Sequence, residues 1–390
     1  MRVLYIAPRF HTNQAEIMKG WISTGDTLCF ISQYTGRTED YSSVCPVVLG
    51  YSPLYRLLHR LYVALHAKDP YADDRRFRYG VPPVFRLRQC IRGFQPDLVI
   101  LREKSVYSMV SYAICRKLGA ACILYTQSPL WQEPEEIHTD FLHRMAARLL
   151  PAVRMTPVLG RRTGSSVEDV SARYIPFVMG ARRGIRRPDA AGEAREAAVR
   201  IFCVGKYERR KNLHMMLEVM ERMEDEASSE SMEAPVHLWI AGECSNSFHA
   251  EYKAELERYI REHGLTDKVK LLRDQTGEQM DALYRAADLF VLPSSREPAS
   301  ISQLEAMAYG LPVICSDTNG TACYVENGRN GYLFRDGDPD SLYRAVRQLA
   351  GSRRLRETMG AESLRLVKER HSFASYRRSV LELMEMAGNR

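Results

Sequence analysis

The sequence predicts an α/β protein built as two doubly wound parallel-sheet domains, on three observations. At 390 residues the chain is too long for one ordinary core and suits two domains of roughly 150 to 200 residues each. Short apolar runs of strand length alternate with helical stretches from end to end, the pattern of parallel strands covered by helices. Near the middle, Arg186 to Ala198 is polar, small and poor in apolar residues, as a linker would be. Two domains imply a cleft between them.

The elements follow in order. The first half offers strands at Val3 to Ala7, Thr27 to Ser32, Asp97 to Leu101 and Ala121 to Thr126. The second half repeats the scheme at Arg200 to Gly205, Val236 to Ala241, Val269 to Leu272, Leu289 to Leu292 and Pro312 to Cys315. Domains are placed at 1–187 and 200–370, with a linker at 188–199 and a last helical segment at 371–390. The polar stretch Glu224 to Ala234 reads as a surface insertion. Two segments have amphipathic helical spacing with basic residues. In Leu54 to Leu65 the apolar set is 54, 57, 58, 61 and 65, with Arg56, His59 and Arg60 elsewhere on the wheel; Phe141 to Val153 is similar, with Arg144 and Arg148 interleaved. Packing onto the domain's own sheet is the preferred reading, and lying on an anionic membrane is the alternative.

Composition narrows the class. A hydrophobic content of 45% with 26% charged residues is that of a globular protein. No apolar run approaches the roughly 18 to 20 residues of a spanning helix, and the opening MRVLYIAPRF is too short for a secretory core, so a cytoplasmic protein is expected. Nine scattered cysteines, without a Cys-x-x-Cys pair, are expected to be reduced and mostly buried. Residues 1–190 carry 27 Lys and Arg against 16 Asp and Glu, whereas residues 191–390 carry 28 against 32. Such asymmetry suits a first domain facing something anionic: a membrane, such as the inner face of one, a phosphorylated acceptor or nucleic acid. A solvated basic face is the bland alternative. No stacking-aromatic or helix-turn-helix pattern supports nucleic acid.

Chemistry concentrates in the second half. In VGKYERRKNLHMMLEVM, residues 204–220, a strand ends, turns at Gly205 and enters a helix near Asn212, a residue type that caps helices. Lys206 and Lys211 flank that turn, where free backbone N–H groups and a helix dipole favour a diphosphate. In LPSSREPASISQLEAMAYGLPVICSD, residues 292–317, a polar loop carries Glu297 and a helix starts at Ser300, whose hydroxyl and Gln303 are expected to form a capping box. Gly310 and Pro312 end it. Glu305 lies within that helix among small and apolar residues and needs a partner; ribose hydroxyls would serve it, and sugar hydroxyls would serve Glu297.

These segments resemble family 4 of the retaining glycosyltransferases, which have the GT-B fold of two facing Rossmann-like domains. The resemblance rests on the Gly205-Lys206 to Lys211 segment, the Glu297 and Glu305 pair and its AMAYGLPVICSD continuation. IAGE at 240–243, YRAADLFVLPS at 284–294 and NGTACYVENGRNGYLF at 319–334 add to it. It implies that Lys206 (usually Arg) and Lys211 bind the diphosphate, Glu297 the donor sugar and Glu305 the ribose, with backbone amides of Ala299, Ser300 and Ile301 contacting the donor. Ala299-Ser300 stands where Phe-Gly is usual. In the first domain His11, Thr12 and Asn13 are expected to face the cleft. Gln127 stands where the family often has histidine. The GT-B resemblance also implies that the last helix crosses back onto the first domain.

The activity implied is metal-independent, retaining hexosyl transfer from a nucleotide-diphosphate-sugar co-substrate to a saccharide or lipid-linked acceptor, without a further cofactor, as in cell-surface polysaccharide or glycolipid synthesis. A catalytically inactive nucleotide-sugar-binding or scaffold protein of the same fold is the alternative. Asp336-Gly337-Asp338 matches a metal-binding Asp-x-Asp but is read as a turn, with Asp338 and Pro339 starting a helix. Asn319-Gly320-Thr321 matches a glycosylation acceptor that a cytoplasmic chain would not use.

Overall fold

The computed structural model describes residues 1–10, 14–36, 41, 43–67, 69, 72–103, 105–134, 152–182, 198–227 and 234–388. It divides into two compact units, Met1–Val178 with Phe373–Arg390, and Met179–Ser372. The first unit thus stops short of residue 187. Met179 already donates its N–H to the carbonyl of His371, and Arg182 to that of Ala308, both at 2.9 Å within the second unit.

In the first unit the strands are β1 (Arg2–Ala7), β2 (Thr27–Ser32), β3 (Val47–Val48), β4 (Leu98–Arg102), β5 (Ala121–Tyr125), β6 (Trp131–Gln132), β7 (Val153–Thr156), β8 (Val167–Glu168) and β9 (Ala172–Tyr174). Seven of them form a parallel sheet in the order β3-β2-β1-β4-β5-β7-β9, and β6 and β8 pair separately. Alternation along β1 serves both faces. Val3 and Tyr5 pack with Trp21 and with Tyr376, Val380 and Leu383 of the last helix, Phe373–Gly388, while Leu4 and Ile6 pack with Leu87, Ile91 and Tyr107. A parallel sheet buried on both faces needs this continuous apolar run. Trp21 Nε1 donates to the Tyr5 hydroxyl at 2.9 Å, which lies 3.1 Å from that of Tyr376.

The second unit contains β10 (Val199–Val204), β11 (Val236–Gly242), β12 (Val269–Arg273), β13 (Leu289–Leu292), β14 (Val313–Ser316) and β15 (Gly331–Phe334), in the order β12-β11-β10-β13-β14-β15. The chain winds outward from β10 to β12, returns to β13 on the other side of β10, and winds outward again. The loops after β10 and β13 therefore leave the sheet in opposite directions and open a crevice at its carboxyl edge, where α/β sheets bind ligands.

Several sequence expectations are corrected. Of the helix expected over Phe141 to Val153, residues 141–151 lie outside the described residues, and Val153 opens the strand β7 instead. The expected linker also lies mostly outside them, and Val199 already belongs to β10. The stretch from Glu224 is not all insertion, since the helix Leu213–Ala227 runs into it. The cysteines, by contrast, are free and mostly buried as expected: Cys115, Cys122, Cys203, Cys244 and Cys315 are buried, and Cys45 is exposed. The leucines of Pro53–Leu65 do not pack on the sheet, for none of its residues is buried. The side turned inward carries Tyr55, His59, Tyr62 and Val63, whose rings and polar tips find partners in Tyr51 and Asp73.

Candidate functional site

Two loops converge at the carboxyl edge between β10 and β13. After Gly205 the chain makes a short 3-10 turn, Arg209–Lys211, and Asn212 adopts left-handed backbone at φ 48° before the helix Leu213–Ala227. Asn212 is thus not the extended N-cap its type suggested. Its amide leaves the helix and donates to the Pro293 carbonyl at 3.3 Å and to Ser295 Oγ at 2.6 Å. Ser295 in turn donates its N–H to the Arg210 carbonyl at 3.1 Å. These bonds lace the lysine loop to the glutamate loop.

Glu297 is fixed along its whole length. Its N–H donates to Asn319 Oδ1 at 2.9 Å, and its carbonyl accepts from Gly320 N–H at 2.8 Å. Its carboxylate receives two cations on one oxygen: Lys211 Nζ at 2.6 Å and Arg210 Nη1 at 2.5 Å. The Lys211 and Glu297 side chains are only 11% and 14% exposed. Burial pushes the Glu297 carboxyl up, but Lys211 and Arg210 outweigh it and hold the group below the usual carboxylate range.

The other expected residues take distinct places. Lys206 pairs with Glu243 at 3.2 Å, both partly exposed. Burial raises the Glu243 carboxyl, while Ser245 and Lys206 more than offset that and keep it low. Gly205 donates its N–H to the Ala241 carbonyl at 3.0 Å. Its own carbonyl lies so close to Gly242 that a Cβ there would fall 2.2 Å from it. Ser300 heads the helix Ile301–Ala308 but does not cap it with its hydroxyl, which bonds Ser302 Oγ at 2.9 Å. Gln303 closes no capping box either: its buried amide donates to the Thr321 carbonyl at 3.0 Å and accepts from Thr321 Oγ1 at 3.2 Å. Holding the loop of Asn319 wins over capping, and the first amides of the helix keep no intrahelical partner. Ala299 lies two residues before that helix, next to Ser300. Glu305 accepts from the Tyr284 hydroxyl at 2.9 Å, and burial together with that carboxylate pushes the Tyr284 phenol far up.

In the first unit Gln127 accepts from Arg102 Nη2 at 2.6 Å and donates to the Tyr125 hydroxyl at 3.2 Å. His11, Thr12 and Asn13 lie outside the described residues. Asp338 accepts from Ser341 N–H at 2.9 Å and caps Pro339–Ala350. Asp336 accepts from Ser295 Oγ at 2.6 Å and Thr318 Oγ1 at 2.8 Å, buttressing the Glu297 loop. Among the described residues no group of three His, Cys, Asp or Glu side chains is placed to hold a metal ion.

Sequence reasoning passed over Arg210, one residue before Lys211, whose charge was its only signal. It also passed over Asn319, noticed only as part of a glycosylation tripeptide, although its side chain sets the backbone of Glu297.

Residues 188–365 match the family model described as glycosyl transferases group 1. The match covers a little under half of the chain. Curated relatives match over limited segments. D-inositol 3-phosphate glycosyltransferase of Corynebacterium urealyticum is 31% identical over 37% of this chain and 33% of its own length. Lipopolysaccharide core biosynthesis glycosyltransferase LpsE of Rhizobium meliloti is 27% identical over 40% of this chain and 41% of its own. Human alpha-1,3/1,6-mannosyltransferase ALG2 is 28% identical over 44% and 41%. The chain thus spans between a quarter and a third of the length of the first curated relatives it matches.

Solved structures show the fold along nearly the whole chain. Anabaena HepE in complex with UDP and glucose superposes with a TM-score of 0.69 at 14% identity, covering 99% of this chain and 100% of that one. A glycosyltransferase of Rickettsia africae gives 0.72 at 12%, covering 99% and 98%. The fold is GT-B, and the group 1 segment holds Lys206, Arg210, Lys211, Glu297 and Glu305.

Proposed function

We propose that the protein is a retaining glycosyltransferase that moves a sugar from a nucleotide-diphosphate-sugar to a saccharide or lipid-linked acceptor, without a bound metal. The observation that carries this reading is the convergence of Lys211 and Arg210 on Glu297 at the strand-order reversal of a group 1 domain. Two cations beside a sheet's carboxyl edge and an uncapped helix start fit a diphosphate. A half-buried carboxylate at the same point fits sugar hydroxyls. The UDP and glucose of the Anabaena HepE complex support a donor of this class, and the lipopolysaccharide core role of LpsE supports a glycoconjugate acceptor.

In the proposed reaction the bond from the sugar's anomeric carbon to the diphosphate oxygen breaks with oxocarbenium character. The acceptor hydroxyl attacks from the same face, and its proton passes to the departing diphosphate. Lys206, Arg210, Lys211 and the amides at Ala299 to Ile301 stabilise the developing negative charge, a preorganised electrostatic task. Glu305 binds the ribose, and the Tyr284 bond fixes its rotamer.

A second reading, a nucleotide-sugar-binding protein without turnover, is favoured by one observation: the amide of Gln127, bonded to Arg102, carries no titratable proton. The test is thermal unfolding against UDP, GDP, ADP and their sugars, followed by donor turnover with the best binder. Saturation at about 100 times Kd adds roughly 2.7 kcal/mol of stability, a rise of several degrees. Failure of every nucleotide to raise the midpoint would sink both readings, while stabilisation without hydrolysis or transfer would select the second.

A further inference from the structure

The helix Pro53–Leu65 is amphipathic the wrong way round for a helix covering a core. Leu54, Leu57, Leu58, Leu61 and Leu65 recur at helical spacing and share one face, and they are 68, 58, 56, 54 and 82% exposed. The opposite side is anchored. Tyr55 lies 5.6 Å from the ring of Tyr51 and the same distance from His59, His59 Nε2 lies 3.1 Å from Asp73, and the Arg75 guanidinium sits 4.8 Å over Tyr62. The helix is also preformed: Ser52 Oγ accepts from Tyr55 N–H at 3.3 Å, and Pro53 occupies the first turn. Next to its start, tied by Ser52 N–H to the Val81 carbonyl at 2.8 Å, the chain enters Val84–Phe94, where Phe85 is 90% exposed.

Charge surrounds this apolar face. Residues 53–94 carry nine Lys and Arg against three Asp and Glu, a net +6, and Asp73 is already engaged by His59 and by Arg76 at 3.0 Å. Arg60 flanks the leucines on one side of the wheel and Arg75 over Tyr62 stands at the other, while Arg56 falls farther round, beside Val63. A leucine face edged by arginines is the anatomy of a helix lying in a lipid interface, its apolar side at the acyl boundary and its guanidinium groups among the headgroups. A second copy of the chain suits the face poorly, because two such basic regions would repel across a shared interface.

We propose that the exposed leucine face of Pro53–Leu65, with its flanking arginines, docks the protein on an anionic phospholipid bilayer. Because the helix is already folded, docking costs little ordering, and because one interfacial helix is a modest anchor, docking is reversible and weakened by salt.

The test is co-sedimentation of the full chain with vesicles of phosphatidylcholine alone or mixed with phosphatidylglycerol, with sedimentation velocity and thermal unfolding on the same samples. The variants are Leu57→Ser/Leu58→Ser/Leu61→Ser and Arg56→Glu/Arg60→Glu. The wild type is expected to bind phosphatidylglycerol vesicles at least roughly tenfold more tightly than phosphatidylcholine vesicles, and the leucine variant to lose about tenfold or more with an unchanged midpoint. The arginine variant, or about 0.5 M salt, is expected to weaken binding as well. Three results would overturn the proposal: no wild-type binding to phosphatidylglycerol vesicles, equal binding by the leucine variant, or a wild-type dimer that the leucine variant dissociates without any change in vesicle binding.

Discussion

Lys211 Nζ lies 2.6 Å from Oε2 of Glu297, and Arg210 brings a second cation to the same oxygen at 2.5 Å. The lysine and glutamate that the resemblance assigns to different parts of a donor are thus each other's counter-ions. A largely desolvated carboxylate with two cationic partners is stable only while its charge remains compensated. Replacing one anion by another at the cations keeps that balance, so under the proposed function an arriving diphosphate would exchange with the Glu297 carboxylate and release it toward sugar hydroxyls.

This exchange predicts opposite effects for the two partners. Lys211→Met is expected to lower transfer by about 10² to 10³ and to weaken binding of the nucleoside diphosphate, while Arg210 continues to neutralise Glu297. Glu297→Gln is expected to abolish transfer but to keep or raise nucleoside diphosphate affinity, because both cations lose their internal competitor. Calorimetric titration with the diphosphate that most raises the unfolding midpoint distinguishes them. Equal loss of affinity in both variants would show that no exchange takes place.

The same pair predicts a pH dependence. The Glu297 carboxyl is held below its ordinary value of 4.5 in the folded chain. Its ion pairing therefore contributes stability that is complete above about that pH and is lost as the pH falls through the depressed folded value. Denaturant midpoints measured from pH 7 downward are expected to fall less steeply below about pH 4.5 in Glu297→Gln than in the wild type. Parallel acid limbs in the two proteins would contradict the assignment.

How much of this was legible in the sequence depends on the range of the interaction. The cores of β1, β2, β10, β11 and β13 were readable because burial on both faces writes a continuous apolar run into consecutive residues. Glu297 and Lys211 were readable as charged residues at strand-to-helix turns. Their contact was not, since 86 positions separate them and only the return of β13 beside β10 brings them together. Local rules failed where a distant partner outbid them. Asn212 and Ser300 are capping types by composition, yet Asn212 bonds the 293–295 loop and Gln303 bonds Thr321. The leucine periodicity of Pro53–Leu65 was plain, but periodicity states which residues share a face and not whether that face turns inward.

Metal chelation supplies a third prediction. Asp336 and Asp338 are committed as acceptors, Asp336 from Ser295 and Thr318 and Asp338 from the first turn of its helix. Transfer measured in excess chelator is therefore expected to stay within about twofold of that in added magnesium, the charge on the diphosphate being met by protein cations. Loss of activity restored by a divalent ion would refute this.

Gly242 makes a fourth. A methyl group there would lie 2.2 Å from the carbonyl oxygen of Gly205, a backbone atom that cannot rotate away. Gly242→Ala is expected to shift the turn that carries Lys206, reducing donor affinity by about tenfold or more while overpacking costs roughly 1 to 3 kcal/mol of stability. Retained affinity, measured by titration on the folded variant, would mean that the turn adjusts without moving the site.

The fifth prediction concerns Gln127. Its amide has two fixed hydrogen bonds, accepting from Arg102 at 2.6 Å and donating to the Tyr125 hydroxyl at 3.2 Å. A histidine installed there would accept from Arg102 only in its neutral form, and the adjacent guanidinium would lower its pKa further. If the leaving diphosphate takes the acceptor's proton, Gln127→His should change kcat by no more than about threefold, and the wild-type pH–rate profile should show no ionisation near the ordinary histidine value of about 6.5. The measurement is kcat against pH for both proteins under saturating donor. A large gain in the variant, with a new limb that follows histidine ionisation, would mean that proton transfer limits the natural enzyme and that the diphosphate is an insufficient base.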